Sequence, residues 1–352
     1  MRTLNLGTRG LLHRYPAVFV MAFLAAFLLG PVAAGAQGRA HLLKASPQTV
    51  HWGHFSSALK PVLTIDSGDT VTIETVTGLP IVWQNIPQNT LPPELLEIWR
   101  DVKDIGPGPH ILTGPIFVNG AAPGDVLELR ILDVKLRSPF GYGYLRPPLG
   151  VLPEDFPYFK VWNQPLDLQK MTSEVLPGVT VPLRPFFGTM GVAPPPTSGK
   201  ISSAPPGLYA GNLDNKHLTA GSTLYIPIHV PGALLSVGDG HAAQGNGEVN
   251  LTAIETHLTG TFQVFVRKGK RLRWPRAETP THYITMGLDP DLNKAAEMAV
   301  RETLLFLSEE KGLNRDDAYM LTSVGIDLEI TQLVDGVKGV HAMIPKALFM
   351  RP

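Results

Sequence analysis

Apolar and polar residues alternate through much of the stretch from Ala40 to about Val134, with Val71, Ile73 and Thr75 on one face and later Leu127, Leu129 and Ile131. A period of two places every second side chain on the same side of an extended backbone, so these stretches predict half-buried strands. A short unit precedes several of them. Ser67-Gly68-Asp69 leads into Thr70 to Thr75, Pro123-Gly124-Asp125 into Val126 to Leu132, and Ala220-Gly221-Ser222 into Thr223 to Ile228. Each reads as a tight turn feeding a strand, and repeated turn–strand units without long helices predict antiparallel sheets packed as a jelly-roll-like β-sandwich. Strands are expected again at Thr223 to Val230, Glu248 to Thr256 and Thr261 to Arg267. Helical periodicity begins only after Asp289, with Asp289 at the cap, Pro290 just inside and Gly312 at the stop. A second short helix is expected from Asn314, then strands at Ile326 to Val334 and around Gly339 to Ile344. The fold class is therefore mainly β with a small C-terminal α+β portion.

The pattern divides the chain into four stretches. In residues 1–36, Arg2, Arg9 and Arg14 precede an apolar run from Val18 to Leu29 that exits through Ala34-Gly35-Ala36. These are the parts of a secretory signal peptide, with an uncleaved membrane anchor as the alternative, and cleavage after Ala36 would leave no stable membrane span. The expected location is exported, either periplasmic or extracellular. Residues 37–206 form an N-terminal β-sandwich part whose Pro-rich region, from Ser138 to Pro206, is expected either to wrap the sandwich as long ordered loops or in part to form a mobile lid. Residues 207–288 form a second β part, and residues 289–352 the α+β portion.

Composition narrows the chemistry. The 352 residues contain no cysteine, which excludes thiol nucleophiles and leaves packing, not disulfides, to stabilise the fold. Lys plus Arg equal Asp plus Glu at 30 each, without long runs of one sign, so no nucleic-acid partner is indicated. Loss of the three leader arginines leaves 27 basic against 30 acidic residues, a net charge of −3. No H-E-x-x-H, nucleophile elbow, phosphate-binding loop or Gly-Ser-Ser-Gly run is present.

The densest polar stretch runs from Gly238 to Glu248 and holds Asp239, His241, Gln244 and Glu248 among glycines. Glycine lets a backbone approach a ligand closely. Asp239 and His241 are two apart, so in an extended segment both side chains leave one face and can converge on a metal ion, although a D-x-H pair also suits a turn with a surface histidine. His110 stands in Pro109-His110-Ile111-Leu112-Thr113-Gly114-Pro115, where prolines stiffen the backbone. Asp214, in Gly211-Asn212-Leu213-Asp214, is either a turn former or an oxygen ligand. His282 is a reserve ligand, whereas His229, His257 and His341 lie within or beside apolar strands and read as structural.

Taken together, these strings resemble the acetamidase/formamidase family from His51-Trp52-Gly53 to about Pro345. Ile65 to Val71, Pro109 to Ile116, Ala122 to Leu127, Phe187 to Pro194 and Gly211 to Asp214 carry the resemblance, and Pro231 to Glu248 is its most specific part. The resemblance implies a jelly-roll-related β-sandwich, a homo-oligomer, and hydrolysis of formamide, acetamide or similar short amides to carboxylate and ammonia. It also implies a divalent metal ion, zinc, for which His110, Asp214, Asp239 and His241 are the candidate ligands. Glu248 is the candidate proton carrier and Gln244 a candidate donor to the tetrahedral oxyanion. The competing expectation is an exported jelly-roll binding protein without turnover.

Overall fold

Alternation of the kind seen in the sequence builds two large sheets lying face to face. A computed structural model describes residues 38–350; the expected secretory signal lies outside the described residues. One sheet runs, in spatial order, through Ala40–Leu43, Thr70–Glu74, Leu258–Arg267, Val126–Leu136, Thr223–Pro227, Arg276–Glu278, His282–Asp289, Lys338–Pro345 and Asp327–Gln332. The other places Ala210–Asn212, Phe186–Gly191, Ala233–Ala243, Ile254–Thr256, Phe140–Leu145 and Lys160–Pro165 side by side. Ile111–Val118 also pairs with Ala233–Ala243 and brings Val50–Trp52 and Leu63–Ile65 with it. Nearly all pairings are antiparallel, and strands from all three expected stretches after the leader interleave in these sheets.

The apolar faces meet in one core. Val71, Ile73, Leu129, Ile131 and Phe262 of the first sheet pack with Leu112, Ile116, Phe187 and Val237 of the second, and the Phe187 and Phe262 rings lie 5.5 Å apart across the interface. Burial of a side chain of this size contributes about 1.5–3 kcal/mol. The turns that feed the strands behave as read: Gly68, Gly124 and Gly221 all take positive φ, which a side chain would resist.

Several expectations are corrected. The region from Ser138 to Pro206 is not a set of wrapping loops, since it contributes Phe140–Leu145, Lys160–Pro165, Thr172–Leu176, Val179–Pro182 and Phe186–Gly191 as strands. Helix Pro93–Asp101, unread in the sequence, buries Leu95 and Ile98 beside Trp52 and Trp83. The long C-terminal helix is Leu292–Lys311, and its cap is Asp291, whose carboxylate accepts from the N–H groups of Asn293 and Lys294. Asp289 instead ends a strand, held there by pairing with Lys338. Gly312 terminates the helix in the left-handed conformation, and Asn314 caps Arg315–Gly325, both as expected. The long helix packs on the first sheet at Gly287, where a Cβ would strike the Ala295 carbonyl. Among the described residues no helix is long and apolar enough to cross a membrane.

Candidate active site

The glycine-rich segment is a strand for more than half its length. Ala233–Ala243 carries both Asp239 and His241 and is paired with Ile111–Val118 and Phe186–Gly191 along its length and with Ile254–Thr256 near its end. Its glycines serve packing between strands: a Cβ on Gly238 would meet the Ile111 carbonyl and Leu112, and one on Gly240 the Thr256 carbonyl and Leu258. Asp239 does not follow the extended path that the D-x-H spacing presupposes. It sits at φ +57°, a local kink, and its Oδ2 still comes within 3.4 Å of His241 Nε2.

Around this pair the fold gathers acidic groups from distant segments. His241 Nε2 lies 3.2 Å from Glu255 Oε2 and 3.8 Å from Asp214 Oδ1. His110 reaches in from the start of its strand, with Nε2 3.6 Å from Asp239 Oδ2. Glu248 closes the group, its ligand atom within 4.8 Å of those of Asp214 and His241. Asp214, Asp239, His241, Glu248 and Glu255 are all buried. The expected strand from Glu248 to Thr256 begins only at Ile254, and Glu248 occupies a turn at φ +46°.

Hydrogen bonds fix the tautomers. The Ser203 carbonyl can only accept, so His110 Nδ1, 3.0 Å away, donates to it and Nε2 is directed at Asp239. The same logic runs through Gln244. Its Nε2 donates to the Asp214 carbonyl at 2.8 Å, which turns its Oε1 toward His241 Nδ1 at 2.9 Å and makes that nitrogen the donor. Both ends of the Gln244 amide are therefore engaged with the chain, and Gln244 aims His241, with one N–H of its Nε2 not used in these contacts. Thr189 Oγ1 stands 2.6 Å from Asn212 Oδ1 and 3.2 Å from Asp239 Oδ2, and Asn212 Nδ2 donates to Asp214 Oδ2 at 2.8 Å.

Crowding carboxyls in a low dielectric sets their charge. Burial, then the charges of Asp214 and Asp335, push Glu248 well above the usual carboxylate range. Burial raises Glu255 to about 7, against the pull of His241. Asp239 is held low because His110 and His241 outweigh its burial, and His241 is raised well above an ordinary imidazole because Glu255 and Asp239 outweigh its own. The cluster thus favours positive charge at the His241 Nε2 position.

The donor set fits a divalent cation. Asp214 Oδ1 and Glu255 Oε2 are buried without a hydrogen-bond partner, both imidazoles have Nε2 directed into the cluster, and Gly188 leaves free the space where a Cβ would strike Asp214, Asp239 and the His241 ring. Glu248 and Gln244 also line a cleft of about 900 Å³ with Trp162, Arg184, Lys216 and Ile254, so the cleft touches the cluster at Glu248.

All the expected residues come together here except His282, which stands in the first sheet with Nδ1 on the Thr281 hydroxyl. Glu255 and Asp335 were not anticipated. Glu255 stands in the short strand Ile254–Thr256 and Asp335 beside Gly336 in what looks like an ordinary turn, and no motif sets either apart.

Comparison with known proteins agrees with this architecture. A model of the Acetamidase/Formamidase family matches residues 44–200 and 198–351. The acetamidase of Mycolicibacterium smegmatis is 30% identical over 43% of this chain and 52% of its own length. The chain spans about half the length of the curated relatives it matches. Among solved structures, an acetamidase from Bacillus halodurans superposes with a TM-score of 0.75 at 31% identity, covering 88% of this chain and 98% of that one. An acetamidase from Yersinia enterocolitica gives 0.77 at 30% identity, covering 91% and 96%.

Proposed function

Since the chain belongs to the acetamidase/formamidase family, we propose that it hydrolyses the C–N bond of small linear carboxamides, releasing a carboxylate and ammonia. The observation that carries this reading is the buried cluster of imidazoles and carboxyls that meets, at Glu248, a cleft of mixed polar and apolar lining. His110, Asp214, Asp239 and His241, with Glu255 added, would hold a divalent ion, zinc by the donor set. Such an ion, when bound, polarises an amide carbonyl and acidifies water.

The chain's own groups meet the other demands of amide cleavage. An amide nitrogen leaves only when protonated, so a proton must be available at the cleft. Glu248 is placed for this: it lines the cleft, and burial beside Asp214 and Asp335 raises its affinity for a proton. It accepts a proton from water in one step and delivers it to the departing nitrogen in the next. Gln244 and Ser203 keep the two imidazoles aimed.

Two further readings belong with this one. The leader composition supports export to the periplasm or the medium, tested by fractionating cells that express the full chain. A homo-oligomer is supported by the exposed apolar group Leu149, Val151, Leu152, Phe156, Tyr158 and Phe159, tested by light scattering of the purified chain. The decisive assay is ammonia release from formamide and acetamide by the purified protein, with and without prior chelation. Turnover that chelation abolishes and zinc restores is the expected result. Absence of ammonia from every amide tested, with zinc supplied, would reject the hydrolase reading.

A further inference from the structure

A second cluster lies at the edge of the same cleft and takes no part in the chemistry above. His217 follows the Asp214 turn. Glu329 and His341 stand opposite one another on the paired strands Asp327–Gln332 and Lys338–Pro345. Glu329 Oε2 is 3.0 Å from His217 Nε2 and 3.3 Å from His341 Nε2, and the two imidazole rings are 5.3 Å apart.

A plain hydrogen-bond network accounts poorly for this arrangement. Three nitrogens, from His217, His341 and Asn246, crowd Glu329 Oε2, while no donor among the described residues bonds its Oε1. An oxygen with two lone pairs does not serve three donors well. His341 is fully buried, its Nδ1 is taken by the Thr331 hydroxyl at 2.7 Å, and its Nε2 has no hydrogen-bond partner. Asn246 Oδ1 is likewise enclosed and unpartnered, so rotating that amide by half a turn would present an oxygen to the cluster in place of a donor.

The spacing is that of metal ligands. Tetrahedral bonds of about 2.0–2.1 Å to nitrogen and oxygen place neighbouring ligand atoms about 3.3 Å apart, and two histidines with one glutamate form a known zinc donor set. We propose that His217 Nε2, His341 Nε2 and Glu329 Oε2 bind a second divalent cation of the zinc class, with a fourth position for Asn246 Oδ1 or a water from the cleft. The ion joins three segments, the turn after Asp214, the loop bearing Asn246 and the C-terminal strand pair. Asn246 lies midway between Gln244 and Glu248, so the ion clamps the loop that carries both. This site shares no ligand with the cluster around His241 and does not depend on the amide chemistry.

The test is zinc content together with an anomalous difference map at the zinc edge. Protein equilibrated with zinc and desalted should carry one equivalent more in the wild type than in Glu329→Gln or His217→Ala, and a wild-type crystal should give a peak between the three side chains. Equal zinc content in the wild type and both folded variants would overturn the proposal. So would a wild-type map with no peak there, a result that does not depend on whether the variants fold. A peak at His241 but none at His341 leaves the amidase reading standing and removes this site.

Discussion

Gly188 offers the sharpest way to perturb the proposed ion site without deleting any of its donors. An alanine Cβ at this position would lie 2.5 Å from Asp239 Oδ2 and 2.7 Å from the His241 ring, with Asp214 Oδ1 equally close. Comfortable contact begins near 3.4 Å, so the three groups must retreat by roughly 0.7–1.0 Å. The Phe186–Gly191 strand is buried throughout and hydrogen-bonded on both sides, which leaves the donors, not the backbone, to move. Overpacking of this size costs about 1–3 kcal/mol, a minor share of a total stability of about 5–15 kcal/mol. Gly188→Ala is therefore expected to fold, with a thermal midpoint lowered by no more than about 10 °C. Its effect on chemistry should be far larger, because misplacement of catalytic groups by about 1 Å costs on the order of 100-fold in rate. Circular dichroism melts, zinc content and ammonia release from acetamide measure the three quantities. A folded Gly188→Ala protein with wild-type zinc content and turnover would refute the placement of the centre.

Other consequences are open to test. Glu248→Gln removes the proton carrier and should lower turnover by about 100-fold while zinc content is retained, measured by ammonia release and metal analysis. The cleft of about 900 Å³ is far larger than acetamide and is lined by Trp162, Val175, Val181, Pro182 and Ile254. Specificity constants should therefore rise from formamide to butanamide by about three- to fourfold for each methylene buried, and a flat or falling series would exclude this acyl site. His51 is depressed from 6.5 to about 3 by burial and the neighbouring His54. The unfolded chain then binds a proton that the folded chain refuses, so this contribution is intact above pH 6.5 and is lost as pH falls from 6.5 toward 3. At pH 5 the loss relative to pH 7.5 is about 2 kcal/mol. His51→Gln, which can keep the contact now made by Nε2 with the Ser236 hydroxyl at 2.9 Å, should lose that increment of acid sensitivity in urea titrations at the two pH values.

The parts of this molecule that were legible in the sequence are those with one wet face. Leu258–Arg267 alternates because one side meets the core and the other does not, and the turns before Thr70, Val126 and Thr223 announce themselves through glycine. Phe186–Gly191 is buried on both faces and shows no alternation, so a strand central to the site passed as part of a Pro-rich loop region. Ala233–Ala243 is similarly enclosed, and its glycines, which permit close strand packing, read in the sequence as room for a ligand. The residues of the cluster were visible as types: His110, Asp214, Asp239, His241 and Glu248 all stood out. Their separations were not, because they depend on the kink at Asp239 and on pairing between segments more than a hundred residues apart. Glu255 was hidden by lying in a strand of only three residues, Ile254–Thr256, and Asp335 by sitting where a turn needs an aspartate anyway.

The grip of the Ser203 carbonyl on His110 has a practical corollary. One imidazole is steered from a peptide unit 93 positions away in the chain, by a group that no side-chain replacement can remove. Insertions or proteolytic nicks near Ser203 should silence the protein while sparing every ionisable side chain at its centre. Variants engineered in that segment are best screened by backbone geometry before side-chain chemistry is blamed.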